Sequence, residues 1–240
     1  MAKHIGIIAC SSEGAALCYR TICQEAAEIM GEANHPEVTM HTPPFQHYMK
    51  PIMKEDWDGV ADVMVSSINI LKQVGAKVLI SPDNTIHEAY YIARKKARIG
   101  KSGLTWLHIA GVVAEEAKQC GYRCLGILGT KYVMEGPVYP DVLKGYNIDH
   151  MIPEFEDRVR INKIIFSELV SAVFREQSID FFIEVIQRFK ERGADAVVLG
   201  CTEIPLLMID HNPKRDKVPL DMLDSTRLLA RAAVREAMSG

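Results

Sequence analysis

Two short segments of this chain end in groups able to move protons. One is Gly75-Ala76-Lys77-Val78-Leu79-Ile80-Ser81-Pro82-Asp83-Asn84-Thr85; the other is Gly193-Ala194-Asp195-Ala196-Val197-Val198-Leu199-Gly200-Cys201-Thr202-Glu203. Each reads as a helix-ending Gly-Ala, an apolar strand and a polar tip. Asp83 falls where Cys201 falls, so one tip offers a carboxylate and the other a thiol. A thiol that follows Gly200 and opens a helical turn sits where its thiolate is favoured. A small buried core thiol is the commoner fate of a free cysteine, but such a residue has no need of a flanking glycine and two polar neighbours. An unperturbed carboxylate titrates near ~3.9 and a thiol near ~8.5, so Asp83 is the weaker base by roughly 4–5 units. Burial would turn it into a proton donor; its plain alternative is a helix cap. Asn84, Thr85 and Thr202 carry short amide and hydroxyl groups where strands turn into helices, a position that suits either a cap or a bound carboxylate. Ser11 and Thr130 stand at two further strand ends, beside Cys10 and Gly129.

The elements that must hold these tips alternate in type. Apolar runs at 4–9, 38–41, 78–81, 104–108, 124–128, 148–151 and 197–199 read as strands. Helical patterns fill 13–31, 57–74, 85–98, 111–120, 157–173, 179–192 and 221–238. Over 57–74 the apolar face comprises Val60, Val63, Met64, Ser67, Ile70, Leu71 and Val74. This alternation predicts an α/β fold with parallel sheets. An internal repeat sharpens it: Ile5-Gly6-Ile7-Ile8-Ala9-Cys10 resembles Leu125-Gly126-Ile127-Leu128-Gly129-Thr130, and Leu71-Lys72-Gln73-Val74-Gly75-Ala76 resembles Phe189-Lys190-Glu191-Arg192-Gly193-Ala194. The expectation is two Rossmann-like α/β lobes related by pseudo-two-fold symmetry. One comprises 1–110 with 222–240 and the other 111–221. In open parallel sheets ligands bind outside the carboxyl ends of the strands, so the active site is expected in the cleft between the lobes.

Bulk properties remove other classes. Hydrophobic residues make up 48% of the 240, charged residues 25%, and the net charge is −3; no basic run exceeds Arg94-Lys95-Lys96, which argues against nucleic acid as a partner. No apolar stretch approaches ~18 residues, so no membrane span is expected, and the N-terminus carries no signal-peptide pattern. The six cysteines show no secreted framework, which points to reduced thiols in the cytoplasm. Cys120 and Cys124 have no second Cys/His pair to complete a zinc set.

On these residues the chain resembles the aspartate/glutamate racemase superfamily over nearly its whole length. Leu199-Gly200-Cys201-Thr202-Glu203-Ile204-Pro205-Leu206-Leu207 looks like the segment of the family's second catalytic cysteine. Asn84-Thr85-Ile86-His87 matches its Cys-Asn-Thr-x-His segment, with Asp83 in the cysteine's place. Gly129-Thr130 with Met134-Glu135 resembles a third segment, and Ile5-Gly6-Ile7-Ile8 with Glu13 and Tyr19-Arg20 the opening strand and helix. At the family's Gly-rich turn this chain has Ala9-Cys10-Ser11-Ser12.

The resemblance implies a cofactor-independent amino-acid racemase that removes and returns the α-proton, with no metal. Cys201 would be the thiol acid/base and Asp83 the group on the opposite face. Ser11, Asn84, Thr85, Thr130 and Thr202 would bind the substrate carboxylate, and Lys163 a distal one. Cys10, His87 and Glu203 are accessory candidates. The alternatives are related enolate chemistry on a dicarboxylate, as a decarboxylase or cis–trans isomerase, and a carboxylate-binding protein without turnover. The partner is an amino acid or dicarboxylate, and the resemblance implies a homodimer. The loop from His41 to His47 lacks the arginine that aspartate racemases place there. Phe45 and Tyr48 could line a less acidic pocket, although core packing explains them equally well.

Overall fold

A computed structural model describes residues 2–101 and 103–239. Among them the strands form two four-stranded sheets, parallel throughout. The chain divides into one unit of Met1–Val112 with Thr226–Gly240 and a second of Val113–Ser225.

The first unit contains β1 (Ile5–Ile8), α1 (Ser12–Met30), β2 (Val38–His41), α2 (Phe45–Ile52), α3 (Trp57–Gln73), β3 (Val78–Ile80), a 3-10 turn (Thr85–Ala89), α4 (Tyr90–Lys96) and β4 (Thr105–Trp106). Helix α5 (Ile109–Gln119) leads into the second unit. There follow β5 (Cys124–Leu128), α6 (Lys131–Glu135), α7 (Val138–Lys144), β6 (Asp149–Met151), α8 (Phe155–Ser167), α9 (Glu176–Glu191), β7 (Ala196–Leu199) and β8 (Asp221–Asp224). Helix α10 (Ser225–Met238) returns to the first unit.

Both sheets use the same strand order, β2-β1-β3-β4 in one and β6-β5-β7-β8 in the other. The central strands are continuous buried runs, as parallel sheets covered on both faces require. In each sheet the order reverses between the first and third strands. Ile5 pairs with Val78 in one, and Leu125 with Ala196 in the other. Open sheets bind ligands outside the carboxyl ends at such a reversal. The tips there are Cys10-Ser11 and Asp83 in the first unit, Thr130 and Cys201 in the second. Gly75 and Gly193 follow α3 and α9 with φ of +90° and +93°. This left-handed step, which glycine adopts without a Cβ penalty, closes each helix before its central strand.

Several elements differ from the sequence reading. Residues 221–224 form β8, not the start of the final helix. Val218-Pro219 blocks helix there, and Asp221–Asp224 completes the sheet against Ala196–Leu199. Residues 45–52 form α2 despite Pro51, and 85–98 split into a 3-10 turn and α4. On α3 the buried stripe is Val60, Ala61, Met64, Ser67, Ile68 and Leu71. Ile70 and Val74 face solvent, because the stripe anchored by Val60, Met64 and Leu71 continues through Ile68 at helical spacing. Among the described residues, no helix is long and apolar enough to cross a membrane.

Candidate active site

In the first unit a network of backbone and ring contacts fixes the strand end that carries Asp83. After β3, Asp83 N–H donates to Ser81 C=O at 2.8 Å. Its carboxylate Oδ1 accepts from Ile86 N–H at 3.2 Å, so this oxygen caps the 3-10 turn. Asn84 is buried at the head of that turn, and Thr85 is half-buried. Ser11 caps α1, its Oγ accepting from Gly14 N–H at 3.3 Å, and Cys10 before it is buried.

His87 braces the tip. Its Nδ1 lies 2.7 Å from Asp83 C=O, and its Nε2 accepts from Ile109 N–H at 3.2 Å. These partners assign the proton to Nδ1. Burial, with a smaller push from His108, holds the His87 pKa well below the usual imidazole range, against the opposing hydrogen bond to Asp83. The ring is therefore neutral, and both nitrogens are committed to backbone. His87 thus braces the tip through the backbone on both of its ring nitrogens. His108 packs edge-on at 4.8 Å, its own pKa lowered by burial to about 4. Trp106 Nε1–H donates to Ser81 Oγ at 3.2 Å, and Tyr90 O–H to Trp106 C=O at 2.6 Å.

Tyr48, on α2, is wholly buried, with the Ser67 hydroxyl beside its phenol. Burial first, then the ionised forms of Cys10 and Asp83, keep the phenol protonated; the Ser67 hydroxyl alone pulls the other way. Ser67 also bonds Val63 C=O (3.4 Å) and His41 Nδ1 (2.9 Å).

The second unit holds a hydrogen-bonded cluster of thiol, hydroxyl and carboxylate. Cys201, Thr202 and Glu203 follow β7, all buried. The Cys201 thiol donates to Glu203 Oε2 at 3.0 Å, and the Thr202 hydroxyl donates to the same oxygen at 3.0 Å. Gly200 makes the approach possible. A Cβ there would meet the carbonyl oxygen of Leu128 at 2.7 Å and Val133 at 3.2 Å, where Gly200 N–H bonds that same oxygen at 2.7 Å. Beyond the cluster the chain enters a π-helical turn, Leu206–Asp210, a geometry frequent at functional sites. Thr130 is buried at the N-cap of α6. Lys163 is exposed on α8, beside buried Ile161, Ile164 and Ile165, and makes no hydrogen bond or ion pair among the described residues.

The structure therefore gathers Cys201, Thr202 and Glu203 into one hydrogen-bonded group, and ties Asp83 to His87 through the backbone. It adds a strand end that the sequence reading missed. Leu199 pairs with Asp224, and Ser225 O–H donates to Leu199 C=O at 2.8 Å. The run Val218-Pro219 followed by Asp224-Ser225-Thr226, a helix-start pattern, was the available signal. Among the described residues, no group of three or more His, Cys, Asp or Glu side chains is placed to hold a metal ion.

A family model described as Asp/Glu/Hydantoin racemase matches residues 5–233. A solved structure of a candidate Asp/Glu racemase from Yersinia pestis superposes with a TM-score of 0.87 at 29% identity, covering 99% of this chain and 100% of that one. An aspartate racemase homologue from Pyrococcus horikoshii shares the fold with a TM-score of 0.82 at 24% identity, covering 99% of each. Glutamate racemase 3 of Caldanaerobacter subterraneus subsp. tengcongensis is 25% identical over 146 residues. That stretch is 59% of this chain and 48% of the relative, so the match spans about half the length of that protein.

Proposed function

The chain belongs to the Asp/Glu/Hydantoin racemase family, and on that premise we propose that it is a cofactor-independent amino-acid racemase with Cys201 as its thiol acid/base. The observation that carries this reading is the thiol–carboxylate pair Cys201–Glu203 at 3.0 Å, set at the carboxyl end of a central strand. The thiol already donates to Glu203 Oε2, so the proposed first step passes the thiol proton along that hydrogen bond to the carboxylate. With the proton on Glu203, the thiolate removes the α-proton: the Cα–H bond breaks, an S–H bond forms, and the electron pair passes into the substrate carboxylate. Asn84, Thr85, Thr130, Thr202 and Ser11 are the proposed donors that hold this carboxylate and spread the enediolate charge. Racemisation requires a proton delivered to the opposite face of Cα, and Asp83 in its acid form is the proposed donor.

One observation favours a second reading. Asp83 Oδ1 is engaged by Ile86 N–H, the bond of a structural cap. If capping is its whole role, a single thiol remains, which suits enolate chemistry on a dicarboxylate, as in a decarboxylase or cis–trans isomerase. A carboxylate-binding protein without turnover is the limiting case.

The test is a panel of L- and D-amino acids in deuterated buffer, scored for α-deuterium and for chirality. Wild type is expected to incorporate deuterium with inversion, and Cys201→Ser to lose incorporation. Incorporation unchanged in Cys201→Ser sinks the reading. Incorporation without inversion moves it to single-thiol chemistry, and ligand-induced thermal shifts without incorporation move it to binding alone.

A further inference from the structure

Thr130 closes the β5 strand end in the second unit, and another helix holds it in place. It stands at the N-cap of α6, a helix of five residues, with its backbone extended. So short a helix has little stability of its own, and its first N–H groups have no acceptor within it. A threonine at this position ordinarily turns its hydroxyl oxygen to one of them; Thr130 makes no such side-chain cap. Its carbonyl oxygen accepts from Val133 N–H and Met134 N–H, at 3.0 Å each.

Helix α8 supplies the cap. Asn162 Oδ1 accepts from Lys131 N–H, the first of α6, at 3.0 Å. One turn earlier on α8, Arg158 Nε–H donates to Glu135 Oε1 at 2.7 Å, at the last residue of α6. Residues four apart share a helix face, so one face of α8 grips α6 at both ends. Ile161, Ile164 and Ile165 anchor α8 in the core cluster that also contains Leu128 of β5, Met134 of α6 and Cys201. Of the two grips, the ion pair is the weaker, because Glu135 is exposed and water screens it. The Asn162 bond reaches the backbone of the residue that follows Thr130.

We infer that Asn162 is a positioning residue of the site. By capping α6 through Lys131 N–H, it holds Thr130 where its hydroxyl donates to the substrate carboxylate. This rests on the reading above, in which Thr130 binds that carboxylate.

The experiment is a double-mutant cycle of Asn162→Ala and Thr130→Val. It is scored as kcat/KM for α-deuterium incorporation, on the panel amino acid that wild type exchanges fastest. Alanine favours helix and removes the acceptor; valine keeps the branched shape of threonine and removes the hydroxyl. Asn162→Ala is expected to lower kcat/KM about tenfold in the wild-type background. In the Thr130→Val background the loss should be about twofold or less, because the hydroxyl that Asn162 positions is gone. Equal losses in the two backgrounds overturn the inference, since Asn162 would then act through the fold or through Lys163 beside it. A loss below about twofold in the wild-type background also overturns it. Should Asn162→Ala not fold, Asn162→Ser, whose hydroxyl falls short of Lys131 N–H, is carried through the same cycle and read by the same outcomes.

If wild type exchanges no α-proton on the panel, the racemase reading fails, and the cycle is scored on malonate affinity by calorimetry instead. A loss of affinity in Asn162→Ala that disappears in the Thr130→Val background supports the inference. Equal losses, no loss, or no malonate binding by wild type overturn it.

Discussion

The two central strand ends share a scaffold and divide its labour. Both follow a helix closed by a positive-φ glycine, and both occupy the third position of sheets with one strand order. At the first tip the carboxylate comes first, as Asp83, and caps its own turn. At the second the thiol comes first and the carboxylate two residues later, as Glu203, bonded to that thiol. A neutral imidazole, an indole and a phenol brace the first tip through Asp83 C=O, Ser81 and Trp106 C=O. At the second, a close backbone approach at Gly200 leads into three consecutive buried polar or thiol-bearing residues. The tips thus differ in where the carboxylate stands: it caps its own turn at the first and meets the thiol at the second.

The hardest test of this contrast exchanges the leading residues. Cys201→Asp is expected to lower α-proton exchange by about 10⁴-fold, the upper range for loss of a matched acid–base group. Asp83→Cys should raise the rate of inversion, because a thiol is the stronger base there. Exchange that survives Cys201→Asp, or inversion that falls in Asp83→Cys, would mean that the tips do not differ as described. Asp83→Asn separates the two roles of that residue: the amide oxygen can still accept from Ile86 N–H, so only proton donation is removed.

Glu203→Gln probes the pair from its other member. The amide fits the same space and cannot carry the proton, so kcat is expected to fall about a hundredfold. With no carboxylate to take the thiol's proton, the thiolate forms only by losing that proton to solvent, so the ascending limb of the pH–rate profile should move to higher pH. A fall in kcat with an unmoved profile would assign Glu203 to shape alone.

How much of this contrast is legible in the sequence depends on the range of the interaction. The repeat, the parallel strands and the two tips follow from local apolar runs bounded by Gly-Ala, because a buried parallel strand writes itself as a continuous run. Cys201-Thr202-Glu203 is local too, and its residues are adjacent in both sequence and space. The brace is not: His87 reaches Ile109, and Trp106 reaches Ser81, through contacts that no spacing rule specifies. The strand Asp221–Asp224 was hidden because Asp-Met-Leu-Asp followed by a long helical pattern reads as helix, and its pairing with β7 settles its state.

Gly200→Ala tests whether the close approach, rather than the thiol alone, defines the second tip. The added methyl would meet Leu128 C=O at 2.7 Å, a backbone atom that cannot rotate aside. Overpacking of this kind costs about 1–3 kcal/mol, and relief by shifting β7 would displace Cys201 from Glu203. The expected outcome is a lower denaturation midpoint together with slower exchange. Unaltered stability would show that the strand end has slack that the structure does not display.

The smallest effect concerns acid and the first tip alone. Burial holds His108 at about 4, against 6.5 for a free imidazole, and holds His87 well below 6.5. The unfolded chain therefore binds these protons first. Their stabilising contribution is complete above pH 6.5 and is lost as the pH falls toward 4. For a single such histidine, the loss between pH 6.5 and 5.5 is about 1 kcal/mol. His108→Asn keeps a side-chain acceptor for Gly111 N–H, which His108 Nδ1 meets at 3.4 Å. Wild type should thus lose about 1 kcal/mol more than this variant across that interval by denaturant titration. Amide exchange then locates the effect. Protonating His87 at Nε2 breaks its bond from Ile109 N–H, whereas Gly200 N–H is held by Leu128 C=O, with no titrating partner. After correction for intrinsic rates, Ile109 should lose protection on acidification before Gly200 does. Equal losses would mean that the imidazole brace does not set the first tip apart from the second.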